Sequence, residues 1–142
     1  MISLSEMMTT PPITLGPDEP VSSAGSLMRE KRIRHLPIVG KDQMLLGLIT
    51  QRDILAAASS DNILESTGDL MRQKVHTVTE DTDLRGAALT MQRLKIGCLP
   101  VVRDDKVIGI ITDTDYVSIA INLLEQMELL EDEGDNDFSD ED

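Results

Sequence analysis

The segment Gly47-Leu48-Ile49-Thr50-Gln51-Arg52-Asp53 returns 62 residues later as Gly109-Ile110-Ile111-Thr112-Asp113-Thr114-Asp115. The apolar pair before each Thr predicts the end of a buried strand. The Thr-x-x-Asp that follows predicts the start of a helix. A Thr hydroxyl at the cap and a carboxylate three residues later bond reciprocally to the first free backbone N–H groups. Such a capping box needs no ligand. The same geometry also offers acceptors to ribose hydroxyls and N–H groups to a phosphate, so this corner suits a sugar phosphate.

Outward from the motif the whole chain repeats. Met8 to Val39 aligns without gaps onto Met71 to Val102 at an offset of 63, with identities that include Met8/Met71, Asp18/Asp81, Met28/Met91, Leu36/Leu99 and Pro37/Pro100. One residue is then lost in the turn, and the motif aligns at 62. Each copy reads β-α-β-β-α. A short extended segment (Pro12 to Leu15, Val75 to Val78) precedes a helix with one apolar face: Val21, Ala24, Leu27 and Met28 in copy one, Leu84, Ala87, Ala88, Met91 and Leu94 in copy two. Asp18 and Asp81 stand just before these helices, where a carboxylate favours the N-terminus. A buried strand (Leu36 to Val39, Leu99 to Val102), a polar turn, the motif strand and a second helix complete the unit. About sixty residues bury too little surface to be stable alone. The expected fold is therefore α+β, two repeats packed sheet to sheet about a pseudo-twofold axis with clefts between them. The boundaries are 1–62 for repeat one, 63–130 for repeat two with an extended last helix, and 131–142 for a disordered acidic tail.

Composition narrows the function. The net charge is −13, and residues 131–142 hold eight acidic groups and no basic one. A basic stripe for nucleic acid is missing, as is one for an anionic membrane. No apolar run is long enough to span a bilayer and no signal peptide is visible. One cysteine, Cys98, cannot form an internal disulfide, which points to the cytoplasm. It reads as a small buried hydrophobe before a strand. His35 and His76 are too few for a metal site. The basic cluster Arg29, Lys31, Arg32 and Arg34 reads as a solvated turn that offsets the helix dipole, with contact to a ligand phosphate as the alternative. No nucleophile, activated base or glycine-rich phosphate loop stands outside the motif, so no enzyme is expected. Tyr116, Ile119, Ala120, Leu123, Leu124, Met127 and Leu130 keep helical spacing, giving more apolar face than one copy needs. It reads as a core helix whose excess face is a dimer contact.

The strands HLPIV (35–39) and CLPVV (98–102), each followed by a short turn and by GLITQRD or GIITDTD, resemble the CBS domain. Two in tandem resemble the paired Bateman module in its stand-alone bacterial form, over about residues 5–130. The resemblance implies a regulatory pair that binds an adenosyl ligand such as AMP, ADP, ATP or S-adenosylmethionine in clefts drawing on both copies. No cofactor is required. It implies one cleft with Thr112, Asp115, Ile110 and Cys98 facing Ile13, Ile33 and Arg34. The other has Thr50, Asp53, Leu48 and His35 facing His76, Ile96 and Gly97. Thr and Asp face the sugar, and the apolar residue two before Thr covers the base. The weakly basic phosphate side favours AMP over ATP, and its unevenness between copies predicts unequal sites. With no effector domain visible, the output falls to an unknown separate protein or to self-assembly as a homodimer. The alternative is a ligand-free interaction scaffold.

Overall fold

The computed structural model describes residues 2–59 and 66–139. Residues Met1–Ile111 form one compact unit, and Thr112–Asp142 form a second, built on one long helix. The elements are a 3-10 turn at Leu4–Glu6, α1 (Val21–Lys31), β1 (His35–Val39), a 3-10 turn at Lys41–Gln43, β2 (Leu45–Thr50), α2 (Gln51–Ala58), α3 (Thr67–Leu70), α4 (Leu84–Leu94), β3 (Cys98–Arg103), β4 (Lys106–Thr112) and α5 (Asp113–Ser139). The expected order is present twice. The expected lead strands are each reduced to one parallel bridge, Leu15 to Ile38 and Val78 to Val101.

Both strand pairs are tight hairpins. Asp104 and Asp105 in the second turn, and Asp42 and Gln43 in the first, have positive φ. Two successive left-handed residues give the turn a twist that matches its strands, and Asp tolerates that region better than most side chains. In the first hairpin the pairing slips by one residue between Ile38 and Val39, which absorbs its extra residue. Helices α1 and α4 both end on a left-handed residue, Arg32 and Lys95, each with φ 56°. Asp18 and Asp81 do not sit at the helix caps. Those positions are held by Pro20 and Asp83, without side-chain cap bonds.

The two copies exchange their lead segments. The Leu4 N–H donates to Thr82 O at 3.0 Å, and the Leu84 N–H donates to Ile2 O at 2.9 Å. In the pseudo-equivalent place the Thr67 N–H donates to Glu19 O at 2.8 Å. Further along, Thr9 bridges Ile110 and Arg72 bridges Leu48, each through a reciprocal pair of backbone bonds. Each hairpin thus carries its own lead segment on one edge and the other copy's on the opposite edge. Covering both edges satisfies backbone groups that would otherwise invite foreign strands. Leu4 is fully buried at one crossing. At the other, the buried Thr67 hydroxyl donates to Gly16 O at 2.6 Å.

The core of copy one is Ala24, Met28, Leu36, Ile38 and Ile49, with Ile13, Leu15, Leu27, Ile33, Ile54, Leu70 and Met71 packed against it. In copy two Leu84, Ala87, Met91, Cys98, Leu99, Val101, Val107, Ile110 and Ile111 are buried. Aromatic residues take no part in either set.

In the second unit, Tyr116 and Ile119 are half-buried. Val117, Ile121, Leu123, Leu124, Met127, Leu129 and Leu130 are all more than half exposed. Sequence places a disordered tail from residue 131, whereas α5 continues to Ser139, with no proline to stop it. Residues 140–142 and the 62/63 repeat boundary lie outside the described residues.

Candidate functional site

The motif builds the same corner in both copies. At the end of β2, the Asp53 N–H donates to Thr50 Oγ1 at 3.2 Å and the Thr50 N–H donates to Asp53 Oδ2 at 3.0 Å. At the end of β4, the Asp115 N–H donates to Thr112 Oγ1 at 3.3 Å and the Thr112 N–H donates to Asp115 Oδ2 at 2.9 Å. Both are complete capping boxes, so the acceptors read from the sequence already serve the helix start. The two carboxylates then differ. The Thr112 hydroxyl lies 3.2 Å from Asp115 Oδ2 and donates to it. Asp53 instead receives the Arg72 guanidinium, with Nη2 2.8 Å and Nε 3.2 Å from Oδ1, and Nε 3.3 Å from Oδ2.

Burial of Asp53 opposes its ionisation. The Arg72 guanidinium and the Thr50 backbone and side-chain hydrogen bonds outweigh that burial and hold the carboxyl below its ordinary value. Arg72 is correspondingly raised, first by its hydrogen bond to Asp53 and then by the charge itself.

Around the copy-one corner the structure gathers Thr50, Asp53, Leu48 and His35, together with the backbone of Arg34, which was expected to face the Thr112–Asp115 corner instead. His35 pairs with Thr50, and Leu48 lies opposite Pro37. The Gln51 N–H donates to Arg34 O at 2.8 Å, which ties Arg34 to the start of α2 beside Asp53. The copy-two residue that reaches this corner is Arg72. His76 is exposed four residues further along the same segment, and Ile96 and Gly97 are half-buried between α4 and β3.

In copy two, Ile110 is buried against Thr9, and Cys98 is buried at the start of β3. Ile13 and Ile33 pack on the copy-one core, while Arg34 is exposed. Arg72 escaped the sequence reading. Its one signal was a mismatch, Thr9 against Arg72, directly after the identical Met8/Met71 pair.

Gly47 and Gly109 explain how the exchanged segments come so close. A Cβ at Gly47 would lie 2.6 Å from Met71 Sδ and 2.7 Å from Arg72 O. At Gly109 it would meet Met8 Sδ at 2.6 Å and Thr9 O at 3.1 Å. Only glycine lets the crossing strand bond to the motif strand at this distance. A shallow depression beside α1, lined by Leu15, Ser22, Ser23, Ser26, Leu27 and Glu30, contains none of the motif residues. Among the described residues no group of three or more His, Cys, Asp or Glu could hold a metal ion, and no helix is long and apolar enough to cross a membrane.

Solved structures with this architecture are numerous. A Vibrio cholerae protein bearing the acetoin utilization name AcuB is 45% identical, with a TM-score of 0.83 over 90% of this chain and 96% of that one. The CBS domain pair of protein MJ0100, in complex with 5′-methylthioadenosine and S-adenosyl-L-methionine, is 28% identical, with a TM-score of 0.80 over 86% and 98%. CBSX2 in complex with AMP is 26% identical, with a TM-score of 0.79 over 86% and 98%. Among curated relatives, a homoserine O-acetyltransferase of Methanococcus vannielii is 34% identical over 77% of this chain, which spans only 23% of that protein's length. The CBS domain pattern itself matches residues 4–60 and 68–122. Two repeats, two capping boxes and exchanged lead segments thus form a tandem CBS pair, and the chain belongs to the CBS domain family of regulatory, non-catalytic modules.

Proposed function

We propose that the chain binds an adenosyl nucleotide, AMP in preference to ATP, at its Thr50–Asp53 and Thr112–Asp115 corners and passes that signal on in the cytoplasm. The observation that carries this reading is the duplicated box itself. Each copy places a carboxylate and a Thr hydroxyl at a helix start directly after an apolar residue two positions before the Thr. Such a carboxylate accepts from ribose hydroxyls while the apolar side chain covers a base. The adenosyl ligands held by the MJ0100 pair and by CBSX2 support the class. At the copy-one corner the single guanidinium of Arg72 suits one phosphate better than three.

The output goes to a separate protein or to a second copy through the exposed apolar residues of α5. After Lys106 the chain carries no Lys, Arg or His. Self-association through this helix therefore works against like charge and strengthens as salt screens it. Light scattering across a salt series reads this directly. A monomer at every ionic strength refutes it.

Titration calorimetry with AMP tests the binding. Asp53→Ala and Asp115→Ala should each remove one site or weaken it by roughly tenfold or more, the cost of losing hydrogen bonds to a charged group. Unchanged binding in the double variant would refute the ribose-acceptor role of the two carboxylates, and no AMP binding by the parent protein would favour the ligand-free scaffold.

A further inference from the structure

The Asp53 carboxylate is already engaged by a group that the motif does not supply. An ionised carboxylate offers about four lone-pair sites. The Thr50 N–H takes one on Oδ2, and the Arg72 guanidinium faces the rest through Nε and Nη2. A ribose presenting two hydroxyl donors needs the sites that Arg72 covers. The Asp53 side chain is 12% exposed and fixed by its box, whereas that of Arg72 is 64% exposed. The guanidinium is the partner able to move.

The pseudo-equivalent residue in copy one is Thr9. It makes the same backbone bridge, to Ile110 rather than Leu48, and carries no charge. The fold therefore keeps the crossing strand in both copies and places a cation on it in only one.

We propose that Arg72 is a latch that makes the Thr50–Asp53 site select phosphorylated nucleosides over uncharged ones. This rests on the reading of Asp53 as a ribose acceptor. A neutral nucleoside that reaches Asp53 must displace the guanidinium and offers it nothing in return. A nucleoside monophosphate supplies a replacement partner, because a guanidinium binds phosphate oxygens in the same forked geometry it uses on a carboxylate. The latch opens by exchange of one anion for another, and Arg72 stays charged throughout. Thr9 cannot impose this filter from the crossing strand of the other copy.

The test uses adenosine and AMP as probes in titration calorimetry on the Asp115→Ala protein, which isolates the copy-one site. AMP should bind about tenfold more tightly than adenosine, and Arg72→Thr in that background should raise adenosine affinity by about two- to threefold, the worth of an ion pair no longer displaced. Arg72→Gln, which keeps length and donors without the charge, should do the same and covers the case in which the Thr variant fails to fold. No gain in adenosine affinity in either variant overturns the latch. So does a ratio that falls only because AMP weakens, since Arg72 would then be a plain phosphate ligand. If Asp53→Ala in the same background leaves AMP binding intact with Arg72 in place, the ribose reading itself fails.

Discussion

The two motif corners share a backbone and differ in what surrounds the carboxylate. Both close a capping box between Thr and Asp across one helical turn. In copy two the Thr112 hydroxyl, within the motif itself, also donates to Asp115. In copy one the further donor is Arg72, 19 residues away and across the pseudo-twofold relation. The crossings differ too, with an apolar Leu4 at one and a hydrogen-bonded Thr67 at the other. Duplication preserved the parts fixed by local geometry. It left the contacts made between copies free to diverge, because each depends on one side chain rather than on a backbone pattern.

The largest break in this comparison is at the crossings. Leu4→Ala should cost about 3 kcal/mol, the usual loss for a fully buried leucine. Thr67→Ala should cost about 1–2 kcal/mol, since it removes one buried hydrogen bond and leaves the Gly16 carbonyl with only the longer bond from the Glu19 N–H at 3.5 Å. Urea unfolding midpoints give both values, and equal costs would mean that the two crossings are energetically alike.

The glycines come next. Gly47→Ala should destabilise by about 2–3 kcal/mol, and Gly109→Ala by about 1 kcal/mol, within the range for overpacking. The order follows from the obstacle. At Gly47 the backbone Arg72 O stands 2.7 Å from the new Cβ, whereas Thr9 O at Gly109 stands 3.1 Å away and the nearer Met8 Sδ is on a flexible side chain. The reverse order in thermal or urea unfolding would refute the geometric argument.

The smallest effect belongs to the ion pair. Arg72→Thr should lower stability at pH 7 by about 0.5 kcal/mol, discounted because the guanidinium is largely in solvent. The sign of its pH dependence is set by Asp53, whose folded carboxyl titrates below its unfolded value of about 3.9. The pair's contribution is therefore complete above that unfolded value and is lost as pH falls through the lower folded one. The gap between parent and variant unfolding midpoints should be present at pH 7 and close toward pH 2. A gap that persists in acid would assign it to something other than this pair.

The parts legible in the sequence were those whose partners lie a few residues apart. Thr50 to Asp53 and Thr112 to Asp115 are three residues apart, so the box, the helix starts and the strand ends could be read directly. The identities repeating at 63 announced two copies of one fold. The excess apolar face of α5 was visible, but the spacing of Leu123, Leu124, Met127 and Leu130 could not say whether anything covered it. Ile13 and Ile33, expected to line a cleft, pack on the copy-one core, and periodicity cannot tell those two uses of an apolar side chain apart.

The sequence by itself determined that this protein is a duplicated CBS unit with an intact Thr-x-x-Asp corner in each half, because those features rest on local spacing and on the comparison of one half with the other. Only the tertiary structure decided that the lead segments change places, that Gly47 and Gly109 admit them, and that Arg72 comes to rest on Asp53. Nothing local marks Arg72 for that carboxylate in a chain with 26 acidic residues. The choice is made when the crossing strand bonds to β2 and carries its side chain to the Asp53 carboxylate.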